Sequence, residues 1–248
     1  MTDNHIHIGR FYDVYYKPHE ILDIVAEAGI TDAVYTSTTS AKDGVRYVEV
    51  EREIAEAVDL YAPERYMPFL WFIPPYIDQG LGVEKAFNSL PYAGIKLHPR
   101  AHRWDMSDRR HLDCLHSLFA FADVNDLPIL IHTGEDDFER PGYFADFFSH
   151  YSRVRCIFAH CRPVSETITL FRNYPNVYGD TAFLSSEGVA EIIKARFKNR
   201  LLPGSDFPIT HYFSVNFHKT GNIHPINLRE QYQSDIKQIT LFMESFYV

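Results

Sequence analysis

Residues 127–160, LPILIHTGEDDFERPGYFADFFSHYSRVRCIFAH, contain two short apolar runs that each end in a histidine. The runs are LPILIH (127–132) and VRCIFAH (154–160), with a longer segment between them. Each run has the length and the uniformly apolar character of a strand buried in a parallel sheet. The stretch therefore predicts two neighbouring parallel strands that finish on His132 and His160.

Six further runs of this kind occur along the chain, and longer amphipathic segments lie between them. Eight repeats of a strand followed by a helix are typical of a parallel barrel or a doubly wound sheet. The other runs are NHIHI (4–8), DAVYTS (32–37), YMPFLWFI (66–73), AGIKLH (93–98), NVYGD (176–180) and RLLPGSD (200–206). Apolar residues at helical spacing predict helices at HEILDIVAEAG (19–29), VEVEREIAEAVDLY (48–61), HLDCLHSLFAFADVN (111–125) and VAEIIKARF (189–197).

The closed barrel is favoured by the number of runs and by the polar residues at their carboxyl ends. In barrels that end of the strands carries the active site, whereas a doubly wound sheet gathers ligands from only a few strands. A barrel needs about 250 residues, and this chain has 248. We therefore expect a single-domain α/β protein, a (β/α)8 TIM barrel over residues 1–248. The composition of residues 207–225 is loop-like, and a last helix is expected over about 227–245.

Composition and charge restrict the class of protein. The formal net charge of −9 argues against a general nucleic-acid binder, which needs a basic face to neutralise phosphates. Three cysteines without CxxC spacing indicate reduced thiols. The start of the chain lacks the pattern of a signal peptide, and the apolar stretch at 67–73 is too short to span a bilayer. A cytoplasmic enzyme with no membrane association is expected.

The first run contains His5-Ile6-His7, in which the two histidines lie two residues apart. In a strand such residues share one face and are separated by about 6.6 Å along the strand. Both imidazoles can therefore reach one ion, for which metal–nitrogen distances are about 2.1 Å. Ile6 is expected to point outward to the helix layer.

Histidine or aspartate also ends five later runs, at His98, His132, His160, Asp180 and Asp206, and the metal argument uses His132, His160 and Asp206. A buried carboxylate is costly unless it is paired or bound to a metal. One such placement alone is explained by a core histidine or by a capping aspartate. Together with the first-strand histidines, they place four sets of polar side chains at one end of one barrel, which indicates a metal-hydrolase constellation.

These motifs carry a family resemblance. The ordered set DNHIHIG, GIKLHP, LPILIHTG, IFAHCRP and LLPGSDFP resembles the amidohydrolase superfamily. It is most similar to the amidohydrolase-related group (amidohydrolase 2) that includes the aminocarboxymuconate-semialdehyde decarboxylase family. The resemblance implies one divalent metal ion, zinc first, with manganese, iron or cobalt as alternatives. It assigns His5, His7, His132 and Asp206 as metal ligands and His160 as a catalytic residue.

The resemblance and the predicted geometry together suggest a working mechanism. The metal lowers the pKa of a water molecule, Asp206 takes the proton, and His160 stabilises the developing oxyanion or relays a proton. Lys96, His98 and Arg162 are expected to hold an anionic part of the substrate. In some binuclear relatives a carbamylated strand-four lysine bridges two metals, and this alternative stays open for Lys96.

The expected function is hydrolysis of a small amide, lactone or ester by a metal-activated water. One alternative is metal-dependent non-oxidative decarboxylation of a small aromatic or unsaturated acid. A second is a TatD-type metal-dependent deoxyribonuclease, although that group has a strand-four glutamate where this chain has Lys96. A binding subunit with a structural metal is the non-enzyme alternative. A homodimer is a further expectation from the resemblance.

The substrate pocket is expected in the loops that follow the strands. Their arginines suggest an anionic substrate or, as the plainer interpretation, a solvated charged loop. These arginines are Arg100, Arg103, Arg109 and Arg110. The aromatic residues of the loops are Tyr12, Tyr15, Tyr16, Trp104, Tyr143, Phe183, Tyr212 and Phe213.

Overall fold

The computed structural model describes residues 1–102, 104–217 and 227–244. Nine strands of these residues form one sheet, and eight of them are parallel to one another. The parallel strands are β1 (Thr2–Phe11), β3 (Asp32–Ser37), β4 (Tyr66–Trp71), β5 (Gly94–Leu97), β6 (Ile129–His132), β7 (Cys156–Ala159), β8 (Val177–Asp180) and β9 (Leu201–Leu202). The remaining strand, β2 (Val14–Tyr16), pairs antiparallel with the end of β1.

The sheet closes on itself where the segment after β9 meets β1. The Asp206 N–H donates to the His5 carbonyl at 2.8 Å, and the His7 N–H donates to the Phe207 carbonyl at 2.7 Å. Ile6 and Phe207 form a parallel bridge. The predicted (β/α)8 barrel is confirmed. The last strand is only two residues long because Pro203 has no N–H to donate, but the residues beyond it still bond to β1.

Helices follow the strands and cover the outside of the barrel. They are α1 (Pro18–Glu27), α2 (Tyr47–Leu60), α3 (Pro74–Asp78), α4 (Val83–Phe87), α5 (Pro99–His102), α6 (Arg109–Val124), α7 (Ala145–His150), α8 (Val164–Asn173), α9 (Ser186–Lys194), α10 (Ile209–Phe217) and α11 (Leu228–Glu244). Short 3-10 turns lie at Thr38–Ala41, Asp137–Glu139, Pro141–Phe144 and Lys198–Arg200. Within the described residues no helix has the length and apolar character needed to cross a membrane.

The expectation of a loop over residues 207–225 is wrong for its first half, which contains helix α10. The Pro, Gly, Asn and His residues of this segment suggested a loop, and several of them, including Gly221, Asn222 and Pro225, come after the helix and lie outside the described residues. Residues 209–217 themselves contain neither glycine nor proline, so nothing in them interrupts a helix. The last helix is present, as expected, as α11.

The interior of the barrel is a small apolar cluster. Val34, Phe69, Leu130, Ile157 and Ala159 form this cluster. Gly94 makes room for it, because a Cβ at this position would come within 2.5 Å of the Phe69 ring.

The larger apolar cluster, which contains Ile6, Leu97 and Ile131, fills the space between strands and helices. Because side chains alternate along a strand, the neighbours His5, Lys96 and His132 point into the barrel instead.

Candidate metal centre

His5 and His7 lie on one face in the middle of β1, and both are almost fully buried. Their Nε2 atoms converge on one carboxylate oxygen, Asp206 Oδ1, at 3.1 Å from His5 and 2.9 Å from His7. Each ring is held from behind through Nδ1. Asp180 Oδ2 lies 2.8 Å from His5 Nδ1, and Thr36 Oγ1 lies 2.8 Å from His7 Nδ1. The two Nε2 atoms are thereby fixed towards the same point.

Asp206 is presented by an unusual turn after β9. Its backbone has a φ of 60°, a left-handed conformation that aspartate tolerates better than most residues. The preceding Ser205 is anchored to the buried carboxylate of Asp3, which accepts bonds from Ser205 Oγ at 2.7 Å and from Ser205 N at 3.0 Å. Asp3 also accepts from His5 N at 3.1 Å. The buried carboxylate of Asp3 therefore fixes the backbone on both sides of the contact between His5 and Asp206.

His160 follows β7 in a left-handed conformation with a φ of 74°. Its backbone N–H donates to Asp180 Oδ1 at 2.9 Å, and its Nδ1 lies 3.0 Å from the Ala182 carbonyl oxygen. Nε2 faces Nδ1 of His132, at the end of β6, at 3.1 Å. The ring centroid of His160 lies 5.4 Å from that of His5. The histidines of three strands therefore meet at one end of the barrel.

Two of the histidine tautomers follow from partners that can only accept. Since a carboxylate and a carbonyl oxygen have no proton to give, His5 donates through Nδ1 to Asp180, and His160 donates through Nδ1 to Ala182. Their Nε2 atoms then carry lone pairs. The lone pair of His5 faces Asp206 Oδ1, so two electron-rich atoms are 3.1 Å apart. Such a pair needs a proton or a cation beside it, and Lys96 Nζ lies 3.1 Å from the same nitrogen.

The donor set fits a divalent metal ion. Two ligands at about 2.1 Å from a tetrahedral ion lie about 3.4 Å apart, close to the 2.9–3.1 Å between the imidazoles and Asp206. Two overlapping groups of residues have ligand atoms close enough to share an ion: His5, His7 and Asp206 in one, and His5, His160 and Asp180 in the other. His132 lies outside both groups, with its Nδ1 turned towards His160.

Burial keeps the imidazoles in the neutral form that binds metals. It lowers the pKa of His5, His7 and His132 well below the usual value, and neighbouring cationic groups lower it further. Burial also lowers the pKa of His160 to about 4. The same desolvation raises the pKa of Asp180. Metal ligation requires neutral imidazole rings whose lone pairs are available to the ion.

Lys96 lies on β5 and His98 follows directly after it, but the two side chains have different neighbours. Lys96 is buried, and its Nζ lies 3.1 Å from His5 Nε2; burial lowers its pKa to about 8. His98 is instead sandwiched between rings, stacked on His132 with centroids 3.8 Å apart and on Trp71 at 5.2 Å. Lys96 is the cation nearest the lone pair of His5, whereas His98 supports the plane of His132.

Arg162 lies beyond His160, at the edge of the same group. Its backbone N–H donates to Thr133 Oγ1 at 3.1 Å. Its Nε is buried without a hydrogen-bond partner in the described part of the chain. A buried donor of this kind is costly unless a ligand or water satisfies it.

The arginines of the loop after β5 are mostly solvated. Arg109 pairs with Asp113 and Arg110 pairs with Asp108, and both arginine side chains are exposed. Arg100 reaches Asp136 and the buried Glu139, at 3.6 and 3.5 Å. Arg103 lies outside the described residues.

Of the loop aromatics, Phe183 lies nearest the centre, with its ring 5.8 Å from that of His160 and its side chain 41% exposed. The Phe213 ring lies 6.0 Å from Phe183. Tyr12 is exposed and stacks on Tyr212 at 5.5 Å, whereas Trp104 is buried. The expected aromatic lining therefore applies to Phe183 and its neighbours, and not to Trp104.

Several residues of the centre do not stand out in the sequence. Asp180 is among the polar residues that end the strands in the sequence pattern, but its contacts with His5 and His160 are not predictable from that pattern. Trp71 and Glu139 carry no signal that sets them apart. Thr36 can be found from the alternation of DAVYTS, since every second residue of a barrel strand faces inward.

Comparisons with known proteins agree with this architecture. The sequence model of a family described as Amidohydrolase matches residues 4–216. A search of curated proteins found no match. Among solved structures, an amidohydrolase 2 from Bifidobacterium longum subsp. infantis has a TM-score of 0.57 and 14% identity, over 97% of this chain and 98% of its own.

Two other similar structures have different names. An N-acetylneuraminate lyase from Mycoplasma synoviae has a TM-score of 0.55 and 12% identity, over 99% of this chain and 79% of its own. A uronate isomerase from Bacillus halodurans C-125 has a TM-score of 0.51 and 11% identity, over 93% of this chain and 71% of its own. At such identities the likeness shows the fold alone, since one barrel hosts many chemistries.

Proposed function

This chain belongs to the amidohydrolase family, whose members are metal-dependent, hydrolase-like enzymes, and we propose that it hydrolyses a small amide, lactone or ester with one divalent metal ion. The observation that carries the proposal is the convergence of His5 Nε2 and His7 Nε2 on Asp206 Oδ1. His5, His7 and Asp206 would hold the ion, with His132 as the fourth ligand. Zinc is the first candidate for this mixed His/Asp set.

A bound divalent ion would polarise the substrate carbonyl and lower the pKa of the attacking water. The protein residues complete the reaction around it. The carboxylate of Asp206 accepts the proton of the water and later delivers it to the leaving group. His160 relays a proton, because its Nδ1 donates to Ala182 O and its neutral Nε2 is free to accept a proton, while Asp180 fixes its backbone.

The anionic part of the substrate would be recognised by cationic side chains beside the centre. Arg162 Nε supports this assignment, because it is a buried donor that no residue of the described chain satisfies. Lys96 is the second candidate, although its Nζ is engaged by His5. His98 is the third candidate, and its ring also holds the plane of His132 by stacking on it.

A second candidate function is non-oxidative decarboxylation of a small aromatic or unsaturated acid. Lys96 favours it, because a buried ammonium group beside the centre is suited to holding a carboxylate. Phe183, exposed beside His160, is suited to a planar substrate. Release of CO₂ from small aromatic acids would distinguish this reaction from hydrolysis.

The experiment pairs metal content with turnover for three variants. His160→Asn should keep the metal and lose activity, because His160 relays a proton without holding the ion. His7→Ala should lose both, because it removes a ligand. His19→Ala is the matched control, since His19 is half exposed on α1 and should change neither.

The assay panel contains amides, lactones and esters, with release of CO₂ from small aromatic acids measured in parallel. Full activity in His160→Asn would refute the role of His160. Retention of metal in His7→Ala would refute the ligand assignment.

A further inference from the structure

Glu139 is the one buried acid in an otherwise exposed acidic run. The loop after β6 reads EDDFER (135–140), and Glu135, Asp136 and Asp137 are all exposed. The side chain of Glu139 is only 4% exposed. Burying a carboxylate costs several kcal/mol unless it is paired. The position of Glu139 therefore requires a partner.

The loop is shaped around this carboxylate. The Gly134 N–H donates to the Glu139 carbonyl at 3.1 Å, and the Glu139 N–H donates to the Asp136 carbonyl at 2.8 Å. A Cβ at Gly134 would collide with Glu139 Oε2. Position 134 therefore has to be glycine for the carboxylate to lie where it does, immediately beyond His132.

The second oxygen, Oε1, faces the metal centre from behind His132. It lies 3.6 Å from His132 Nε2 and 3.5 Å from Arg100 Nη1. It is buried and makes no hydrogen bond within the described part of the chain. An acceptor that lacks a hydrogen bond and lies beside an imidazole nitrogen favours the tautomer that carries its proton on that nitrogen.

We propose that Glu139 is a positioning residue for His132, an inference that rests on His132 being a metal ligand in the proposed function. With the proton on Nε2, directed at Glu139, the lone pair of His132 lies on Nδ1. That atom faces His160 Nε2 at 3.1 Å, and His160 Nε2 also carries a lone pair because its Nδ1 donates to Ala182. Without an ion, a proton on His132 Nδ1 makes this contact a hydrogen bond; an ion bound at Nδ1 would move that proton to Nε2, where Glu139 Oε1 is the acceptor.

The remaining contacts of His132 serve the same orientation. His98 stacks on its face with centroids 3.8 Å apart and 11° between the planes, which fixes the plane of the ring. Glu139 fixes the proton of His132 on Nε2 and the rotation of the ring within that plane. A carboxylate behind a ligating histidine also raises the basicity of the ligating nitrogen, and its loss typically costs about 10- to 100-fold in metal affinity.

The test measures the Zn²⁺ dissociation constant of the full chain by chelator competition, together with the visible absorption spectrum of the Co²⁺-loaded protein. Glu139→Ala should weaken Zn²⁺ binding about 10- to 100-fold and change the Co²⁺ spectrum. Glu139→Gln keeps the size of the side chain and an acceptor oxygen, so this variant should lose less Zn²⁺ affinity than Glu139→Ala. Asp136→Asn is the control, because Asp136 shares the Arg100 contact without touching His132.

A double-mutant cycle separates positioning through His132 from a general effect on the fold. In the His132→Ala background, Glu139→Ala should cause no further loss of Zn²⁺ affinity. Full additivity of the two losses would overturn the proposal, as would an unchanged affinity and Co²⁺ spectrum in Glu139→Ala.

Failure of the proposed function has a different signature. In that case the wild-type chain itself would bind no Zn²⁺, or His132→Ala alone would leave the affinity unchanged.

Discussion

His5 and Asp180 are joined by a 2.8 Å contact between imidazole Nδ1 and carboxylate Oδ2, although 175 positions separate them in the sequence. Both residues are buried, and the other oxygen of Asp180 accepts the backbone N–H groups of His160 and Ala182, at 2.9 and 3.1 Å. One carboxylate thus sets the tautomer of a ligand candidate and the backbone of a catalytic candidate. The centre depends on residues behind the ligands as well as on the ligands themselves.

Asp180→Asn should weaken metal binding about 10- to 100-fold with little change in fold. An amide in place of the carboxylate cannot both accept from His160 N and receive the His5 proton as strongly. Chelator competition measures the effect, with the exposed Asp59→Asn as the control. An unchanged dissociation constant in Asp180→Asn would contradict the role given to this contact.

Thr36→Val should weaken metal binding by about tenfold, because it removes the oxygen that lies 2.8 Å from His7 Nδ1 while keeping the shape of the side chain. Thr36→Ser retains the hydroxyl and should restore the affinity. The comparison of Val with Ser, by the same competition assay, isolates the hydroxyl from packing. A loss in Thr36→Ser as large as that in Thr36→Val would contradict the role given to the hydroxyl.

Gly94→Ala should lower the free energy of unfolding by about 1–3 kcal/mol, the usual cost of overpacking a core. The new methyl group would meet the Phe69 ring inside the barrel. Urea denaturation measures the change. Gly82→Ala is the matched control, because a Cβ at Gly82 would meet no atom within 4 Å and this residue does not need a positive φ. Equal stabilities of the two variants would refute this packing argument.

Asp235 predicts a specific dependence of stability on pH. Burial raises its pKa to about 6, and it accepts from Thr210 Oγ1 at 2.7 Å and from Gln231 Nε2 at 2.8 Å. The folded state therefore holds this proton more tightly than the unfolded state. The contribution to stability is full below about pH 4 and is lost as the pH rises through about 6.

The measurement compares urea unfolding of the wild-type chain with Asp235→Asn between about pH 4 and pH 7. Relative to the variant, the wild type should lose up to about 3 kcal/mol over that range, since about two pKa units correspond to that energy. All other titrating groups are common to both proteins and cancel in the difference. A difference that stays constant over this pH range would contradict the raised pKa.

The strands are predictable because the barrel imposes a simple pattern on them. Runs such as LPILIH and VRCIFAH are apolar on both faces, since one face meets the barrel interior and the other meets the helices. The polar residue that ends each run is then conspicuous. His132, His160 and the His5-Ile6-His7 motif stand out in this way without any knowledge of the distances between them.

The supporting residues are not predictable, for physical reasons that differ between them. Glu139 sits in an acidic run that is typical of a solvated loop, and only the missing side chain at Gly134 allows its burial. Trp71 resembles any core aromatic. Asp206 is identified from its run, but the helix that follows it at residues 209–217 is not, because the composition of the wider segment is dominated by residues beyond the helix.

The most direct test of the central claim is the metal content of the purified chain, prepared without tag or chelator and measured by elemental mass spectrometry. Wild type and the exposed-histidine control His19→Ala should each contain about one divalent ion per chain, and His5→Ala should contain none. Two ions per wild-type chain would contradict the single-metal centre and favour a carbamylated Lys96. An absence of metal in wild type, with none taken up on adding Zn²⁺ or Mn²⁺, would contradict the claim that His5, His7 and Asp206 form a metal site.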